Sequence, residues 1–410
     1  MSRLLLDLTH TSHTRARTGI QRVSRSLHTA LAACGEGVLA ICCDPHERAW
    51  RPLRARERRN VAGGHDAPAS ARGARWPLHT RLAGWLRRRR RGTGSEIRIP
   101  EMDLAGGLVV PEIFSPHTGR ALPALLARVT GRRVALFHDA IVLRLPELSP
   151  PKSVGRFPAY LQELLCFDGV AAVSEASRES LVGYWRWLGI TRPPAVVTLP
   201  LGLDAPVPSP YGHTNAPGAP PVVLSIGTLE GRKNHLTLLA ACETLWQRGR
   251  RFELRLIGMV HPQTGRAAFR RVRALQAAGR PVRYDGPASD AAIHAAYRAC
   301  VFTVYPSLME GFGLPVLESL SYGKPCICAA TGGHDDHARG GGCLALDRCD
   351  APALAAAMER LLSDGEYLEA LTDGARARTF KPWPAYAEEL AGWMQTLRRR
   401  EPAIQPGNFR

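Results

Sequence analysis

Ser307-Leu-Met-Glu310-Gly311-Phe312-Gly313-Leu314-Pro315-Val316-Leu317-Glu318 is the stretch of this 410-residue chain that carries most information. An apolar run of strand length, residues 301–305, comes just before it. Gly311 and Gly313 keep the backbone clear of side chains, Pro315 falls where the first helical residue belongs, and Gly323 followed by Pro325 closes that helix. Strand, glycine turn and helix in this order leave the amides from Gly313 onward free, and free amides at a helix start bind anions. Glu310 before the turn and Glu318 one face into the helix would then reach different parts of one ligand. A carboxylate repels phosphate, so beside an anion site the two suit sugar or ribose hydroxyls. Alone, either glutamate reads as a solvated turn or helix residue; with this glycine pattern they read as a site.

Upstream lies a second signal of the same kind, Ser225-Ile-Gly227-Thr-Leu-Glu-Gly-Arg232-Lys233-Asn234, again directly after a strand, residues 222–226. Lysine occurs only at positions 152, 233, 324 and 381, so the chain nearly always uses arginine for surface charge. A fork and a point charge side by side at a strand end suit a diphosphate better than a plain solvated loop does. Further strands are expected at 254–257 and 326–329, with helices between them.

The first half repeats the alternation. A strand at 4–8, a polar loop ending in Thr18-Gly19-Ile20, an amphipathic helix at 21–34 with Val23, Leu27, Ala30 and Leu31 on one face, and a strand at 38–42 open a doubly wound sheet. Strands follow at 107–110, 134–137 and 170–173. Residues 205–221, rich in Pro, Gly and Ala, read as a linker. The expected architecture is α/β: a first Rossmann-like domain at 1–204 carrying a basic insertion at about 47–98, a second at 222–380, and a helix within 381–410 returning to the first. Two such domains face each other across a cleft at the carboxyl ends of both sheets.

Apolar residues are 45% of the chain and charged residues 22%, which fits a globular protein with a real core. The net charge is +18, but 14 arginines against two acids lie between residues 48 and 91, so the excess describes one segment more than either domain. Within it Leu78, Leu82, Trp85 and Leu86 recur at helical spacing before Arg87 to Arg91. That pattern fits a helix on an anionic membrane surface or, equally, an Arg-rich solvated loop. No stretch approaches the ~20 apolar residues of a membrane span, and the amino terminus reads as a strand, so a cytoplasmic protein is expected. The ten cysteines read as reduced, buried thiols. A nucleic-acid-binding protein is the main reading from another class, and the confinement of the charge to one insertion without interleaved aromatics weighs against it.

On the Arg-Lys pair and the Glu-x7-Glu spacing, the chain resembles the family-four retaining glycosyltransferases of the GT-B fold, over nearly its whole length apart from the insertion. The resemblance implies that Arg232 and Lys233 bind a donor diphosphate, Glu318 the donor ribose and Glu310 the transferred sugar, with the backbone of Phe312, Gly313 and Leu314 around sugar and phosphate. Gly19 in Thr18-Gly19-Ile20-Gln21-Arg22 resembles a glycine loop over the phosphates, in the form found in mannosyl and rhamnosyl transferases of surface-polysaccharide assembly. His138, followed by Asp139, resembles the family's active-site His-Asp, and Ser174 and Gly227 fall in further cleft elements. Asp336, in Gly332-Gly333-His334-Asp335-Asp336, stands where the family often has Glu. No Asp-x-Asp is present, so neither metal nor cofactor is expected. The implied partners are a nucleotide-sugar, GDP-linked before UDP- or dTDP-linked, and a glycan or lipid-linked acceptor. A catalytically silent scaffold of the same fold, and a phosphorylase needing a pyridoxal lysine, are the other readings.

Overall fold

The computed structural model describes residues 2–16, 18–35, 37–62, 74, 76, 78, 80–82, 96–204 and 218–400, with Asp335 and Asp336 described for their backbone only. Two sheets organise it. The first contains β1 (Leu4–Asp7), β2 (Val38–Asp44), β3 (Ala49–Pro52), β4 (Glu96–Ile97), β5 (Leu108–Val110), β6 (Arg133–Phe137), β7 (Gly169–Ala172) and β8 (Ala195–Thr198), in the order β4-β3-β2-β1-β5-β6-β7-β8. The second contains β9 (Val222–Ile226), β10 (Glu253–Ile257), β11 (Val282–Gly286), β12 (Phe302–Tyr305), β13 (Cys326–Ala329) and β14 (Cys343–Leu346), in the order β11-β10-β9-β12-β13-β14. Every pairing is parallel except β2 with β3.

Central strands such as β1, β6 and β13 are buried along their whole length, because helices cover both faces of a parallel sheet. That double burial is why they read as continuous apolar runs. On one face of the first sheet the helix Gly19–Ala33 buries Val23, Leu27, Ala30 and Leu31, the stripe its spacing marks out. It packs against the helix Trp383–Thr396, whose Tyr386, Ala387, Leu390 and Met394 join the same cluster. The carboxyl-terminal chain thus lies on the first sheet. Leu203 N donates to Lys381 O where the two crossings meet, and Arg400 N reaches Asp168, itself in a buried pair with Arg133 at 2.6 Å.

Three differences from the sequence expectation have physical causes. The basic insertion is not wholly outside the sheet: β3 runs antiparallel beside β2, Trp50 is fully buried, and Arg51 lies between Asp44 and Glu57. A strand of four residues with one arginine paired inward offers no apolar period to detect. Strands β8, β11 and β14 were not expected either; as outer strands of their half-sheets they carry more polar or half-exposed positions. All ten cysteines are free thiols, but not all are buried: Cys34 at the helix end is exposed, and Cys166, Cys343 and Cys349 are half-buried. Trp76 stacks on His13 with ring centroids 3.5 Å apart, while Leu78 and Leu82 are exposed. The linker residues 205–217 and most of 76–91, with Arg87 to Arg91, lie outside the described residues. No helix among the described residues is long and apolar enough to cross a membrane.

Candidate active site

In each sheet the chain winds outward from a central strand and then returns to that strand's other side. The loops diverge between β1 and β5 in the first sheet and between β9 and β12 in the second. Open α/β sheets bind ligands at such points, outside the carboxyl ends of the strands. The loop after β9 carries Gly227, Arg232 and Lys233; the loop after β12 carries Glu310 to Gly313. The loops after β1, β5, β6 and β7 carry His10, Glu112, His138 with Asp139, and Ser174.

Glu310 is 9% exposed and is gripped from two sides. Arg232 Nη1 donates to its Oε2 at 2.9 Å and Lys233 Nζ to its Oε1, while Arg232 also pairs with Glu230 at 2.8 Å. Burial alone would push the Glu310 carboxyl up, but the charges of Arg232 and Lys233 outweigh it and hold the group well below the usual carboxylate range. Glu310 is therefore a fixed anion. In this structure the Arg-Lys pair is spent on Glu310, so a diphosphate would have to share these cations with it.

Glu318 sits on the helix Leu314–Ser321 and is 7% exposed. Tyr297 Oη donates to its Oε2 at 3.0 Å, and Arg22 from the first domain forms an ion pair with its Oε1. The Glu318 charge is the first cause that holds Arg22 charged. Ahead of Glu318 the helix starts at Gly313 (φ 88°), with no side chain capping its first amides. Pro315 is the second helical residue, one place later than its expected position.

The two domains touch at the floor of the cleft. Ser174 Oγ donates to Gly311 O at 2.6 Å across the cleft, while within the first domain Ser177 Oγ donates to His138 O at 2.9 Å and so ties the loop after β6 to the helix that carries Ser177. Phe312 and Leu317 of the second domain are buried in the apolar cluster of the first. His138 is 6% exposed, and its Nε2–H donates to Pro111 O at 2.7 Å. Burial lowers its pKa, so the ring is neutral and Nδ1 is left as an acceptor. Asp139 accepts from Ile141 N at 3.0 Å; burial raises its pKa and the nearby Arg232 pulls it back.

The structure thus brings together Arg232, Lys233, Glu310, Phe312, Gly313, His138, Asp139 and Ser174, with Glu318 one helical face further on. Gly19 departs from expectation: it is the first residue of a helix and not a loop, with nothing within 4 Å of where a side chain would begin. Gly227 (φ 154°) is likewise open, with Lys233 Cε the nearest atom at 3.8 Å. Leu314 packs at the edge of the first domain's apolar cluster. Asp336 lies in the short helix Gly333–Ala338, and its side chain is outside the described residues. His334 and His337 of the same helix are buried, with the His337 ring edge-on to Phe312 at 4.7 Å. Sequence reasoning missed Tyr297, Ser177, Glu230, Asp7 and His10, and gave Arg22 no partner. Arg22 and Glu230 stood inside quoted stretches; Tyr297, Ser177 and His10 sit in helices or loops without one, and Asp7 ends the first strand.

Facing doubly wound domains with this cleft are the GT-B glycosyltransferase architecture, and known structures agree. Sucrose-phosphate synthase from Thermosynechococcus elongatus superimposes with a TM-score of 0.67 at 19% identity, over 96% of this chain and 98% of that one. Residues 212–378 match the family Glycosyl transferases group 1, so the chain carries a glycosyltransferase group 1 domain. Among curated relatives, the serotype-specific mannosyltransferase WbdA of Escherichia coli is 26% identical over 362 residues, covering 79% of this chain and 38% of WbdA. The O-antigen chain mannosyltransferase B of Escherichia coli is 30% identical over 256 residues, covering 59% of this chain and 64% of that protein. The chain therefore spans well under half of WbdA and less than two thirds of mannosyltransferase B.

Proposed function

We propose that this chain is a retaining, metal-independent glycosyltransferase that moves a hexosyl group, best read as mannose from GDP-mannose, to a glycan or lipid-linked acceptor of surface-polysaccharide synthesis. The observation that carries the reading is the convergence of Arg232, Lys233 and Glu310 with the uncapped helix start at Gly313, at the switch point of the second sheet. Breaking a glycosyl phosphate bond leaves negative charge on the diphosphate. Two cations and the amides of Gly313 and Leu314 at the helix start answer that charge as it develops, which is electrostatic transition-state stabilisation without a metal. Glu310, held anionic beside them, orients the sugar hydroxyls. Glu318 takes the ribose once Arg22 releases it. The neutral His138 offers Nδ1 to a sugar hydroxyl. The acceptor hydroxyl attacks from the face the phosphate leaves, and its proton goes to that phosphate, which retains configuration.

The mannosyl choice rests on the relatives WbdA and mannosyltransferase B, and on the Thr18-Gly19-Ile20-Gln21-Arg22 form. Peripheral contact with the inner face of a membrane is proposed through exposed Leu78 and Leu82, with Trp76 serving as an anchor to the first domain. The test is thermal stabilisation by GDP, UDP, dTDP and ADP, without and with magnesium, in the wild type, Arg232→Ala and Glu318→Ala. A magnesium-independent shift with GDP, lost in both variants, is expected. No shift with any nucleotide would sink the reading.

A further inference from the structure

The second sheet's switch point is occupied by the donor machinery just described; the first sheet's switch point, between β1 and β5, is unassigned. The side chains of Glu112, His10, Gln21, Thr18 and Asp7 gather around it. Glu112, after β5, spends its carboxylate on the loop after β1: Oε2 accepts His10 N at 2.7 Å, and Oε1 accepts Thr11 N at 2.8 Å and the Thr11 hydroxyl. Glu112 is thus a clamp with little left to offer a ligand.

His10 is the residue so clamped, and its ring is set from another side. The Thr18 hydroxyl donates to Gln21 Oε1, which fixes the amide so that Gln21 Nε2 donates to His10 Nδ1 at 3.1 Å. With Nδ1 accepting, the neutral ring carries its proton on Nε2, and that N–H meets no other described residue. The Thr-Gly-Ile-Gln segment therefore does more than start a helix: it orders a histidine at the switch point.

Asp7 ends β1 three residues earlier and is 2% exposed. Its Oδ1 accepts Thr9 N at 3.0 Å and the Thr9 hydroxyl at 2.5 Å, and its Oδ2 takes no bond from any described residue. Although the residue is nearly enclosed, this oxygen keeps some access to solvent, so a water or a ligand hydroxyl can reach it and donate to it. Burial first, and Glu112 second, raise the Asp7 pKa to about 7, the response of a group short of donors.

We propose that Asp7 and His10 form the acceptor-recognition site of the transferase, with His10 Nε2–H donating to, and Asp7 Oδ2 accepting from, hydroxyls of an acceptor hexoside. A donor and an acceptor, one buried and one half-buried, match adjacent sugar hydroxyls, each of which gives one hydrogen bond and takes another. An anion is excluded, because Asp7 and Glu112 would repel it. Placement at the carboxyl end of β1 sets the hexoside opposite the donor cations across the cleft, as group transfer needs. Glu112, Gln21 and Thr18 are positioning residues that act through His10.

The inference rests on the proposed transferase reading, and its test separates the two. Binding of methyl α-mannoside, methyl α-glucoside and methyl α-galactoside to the full chain loaded with GDP is followed by saturation-transfer NMR, in the wild type, Asp7→Asn and His10→Ala. Alongside, the GDP-induced thermal shift is recorded for all three. The expected result is binding of at least one hexoside by the wild type, at least tenfold weaker in each variant, with the GDP shift unchanged throughout. Equal hexoside binding by all three overturns the site. So does a wild type that GDP stabilises but that binds no hexoside. Loss of the GDP shift in both variants reassigns them to the donor side or to folding and also overturns it, whereas a wild type indifferent to every nucleotide refutes the transferase reading itself.

Discussion

Glu310 and Asp7 show how environment splits two buried carboxylates. Glu310 has Arg232 and Lys233 in contact and is held ionised in spite of burial. Asp7 has a hydroxyl and an amide from Thr9 and the repulsion of Glu112, and its pKa rises to about 7. An unfolded aspartate titrates near 3.9, so the folded chain binds this proton more tightly than the unfolded one. The stability gained from that proton is complete below about pH 4 and is lost as pH rises through about 7. The melting temperature of the wild type should therefore fall more between pH 5 and pH 8 than that of Asp7→Asn. Parallel melting curves for the two proteins would show that Asp7 titrates as it does in the unfolded chain.

Two helices present glycines to the cleft, and their backbones ask different things of them. Gly313 sits at φ 88°, and a Cβ there would lie 2.5 Å from His334 Cδ2. Gly19 has ordinary helical backbone and open space around it. Gly313→Ala should therefore destabilise by about 1–3 kcal/mol, the usual cost of forcing a side chain into strained backbone, and lose the nucleotide-induced shift as the helix amides turn away. Gly19→Ala should melt no lower than wild type, because alanine is the better helix residue by about 1 kcal/mol, yet bind GDP more weakly if the backbone must come close to phosphate. Melting with and without GDP separates strain from ligand access. Neither difference is visible from the glycine letter alone.

Domain apposition is decided by contacts no single element owns. Gly311 O accepts Ser174 Oγ, and a Cβ on Gly311 would stand 2.3 Å from His138 O and 2.9 Å from Asp139 Cβ, all of them across the cleft. Gly311→Ala should thus prop the domains apart while leaving the packing of each intact. Transfer should drop about 100-fold, the cost of misplacing reactants by an ångström, with GDP binding changed less than threefold. Steady-state turnover beside calorimetric GDP titration checks this, and equal losses in both would show that Gly311 serves the donor pocket alone. Arg22 and Glu318 belong to the same scale: an ion pair across the cleft occupies the carboxylate proposed for the donor ribose, so a ribose bound there would take Glu318 from Arg22.

By itself the sequence carried the α/β class, most strands of both sheets, and the loops and helix that bring Arg232, Lys233, Glu310 and Glu318 to the cleft. These are local properties: continuous apolar runs follow from strands buried on both faces, and a glycine turn between strand and helix has its own residue pattern. What waited for the tertiary structure depended on partners distant in the chain. Arg22 reaching Glu318, Glu112 clamping His10, Arg51 drawing β3 into the sheet, and the helix Trp383–Thr396 returning to the helix Gly19–Ala33 each join segments with no shared period or motif. Whether a histidine or an aspartate is satisfied, orphaned or ionised is a matter of what stands within a few ångströms of it, and only the folded chain decides that.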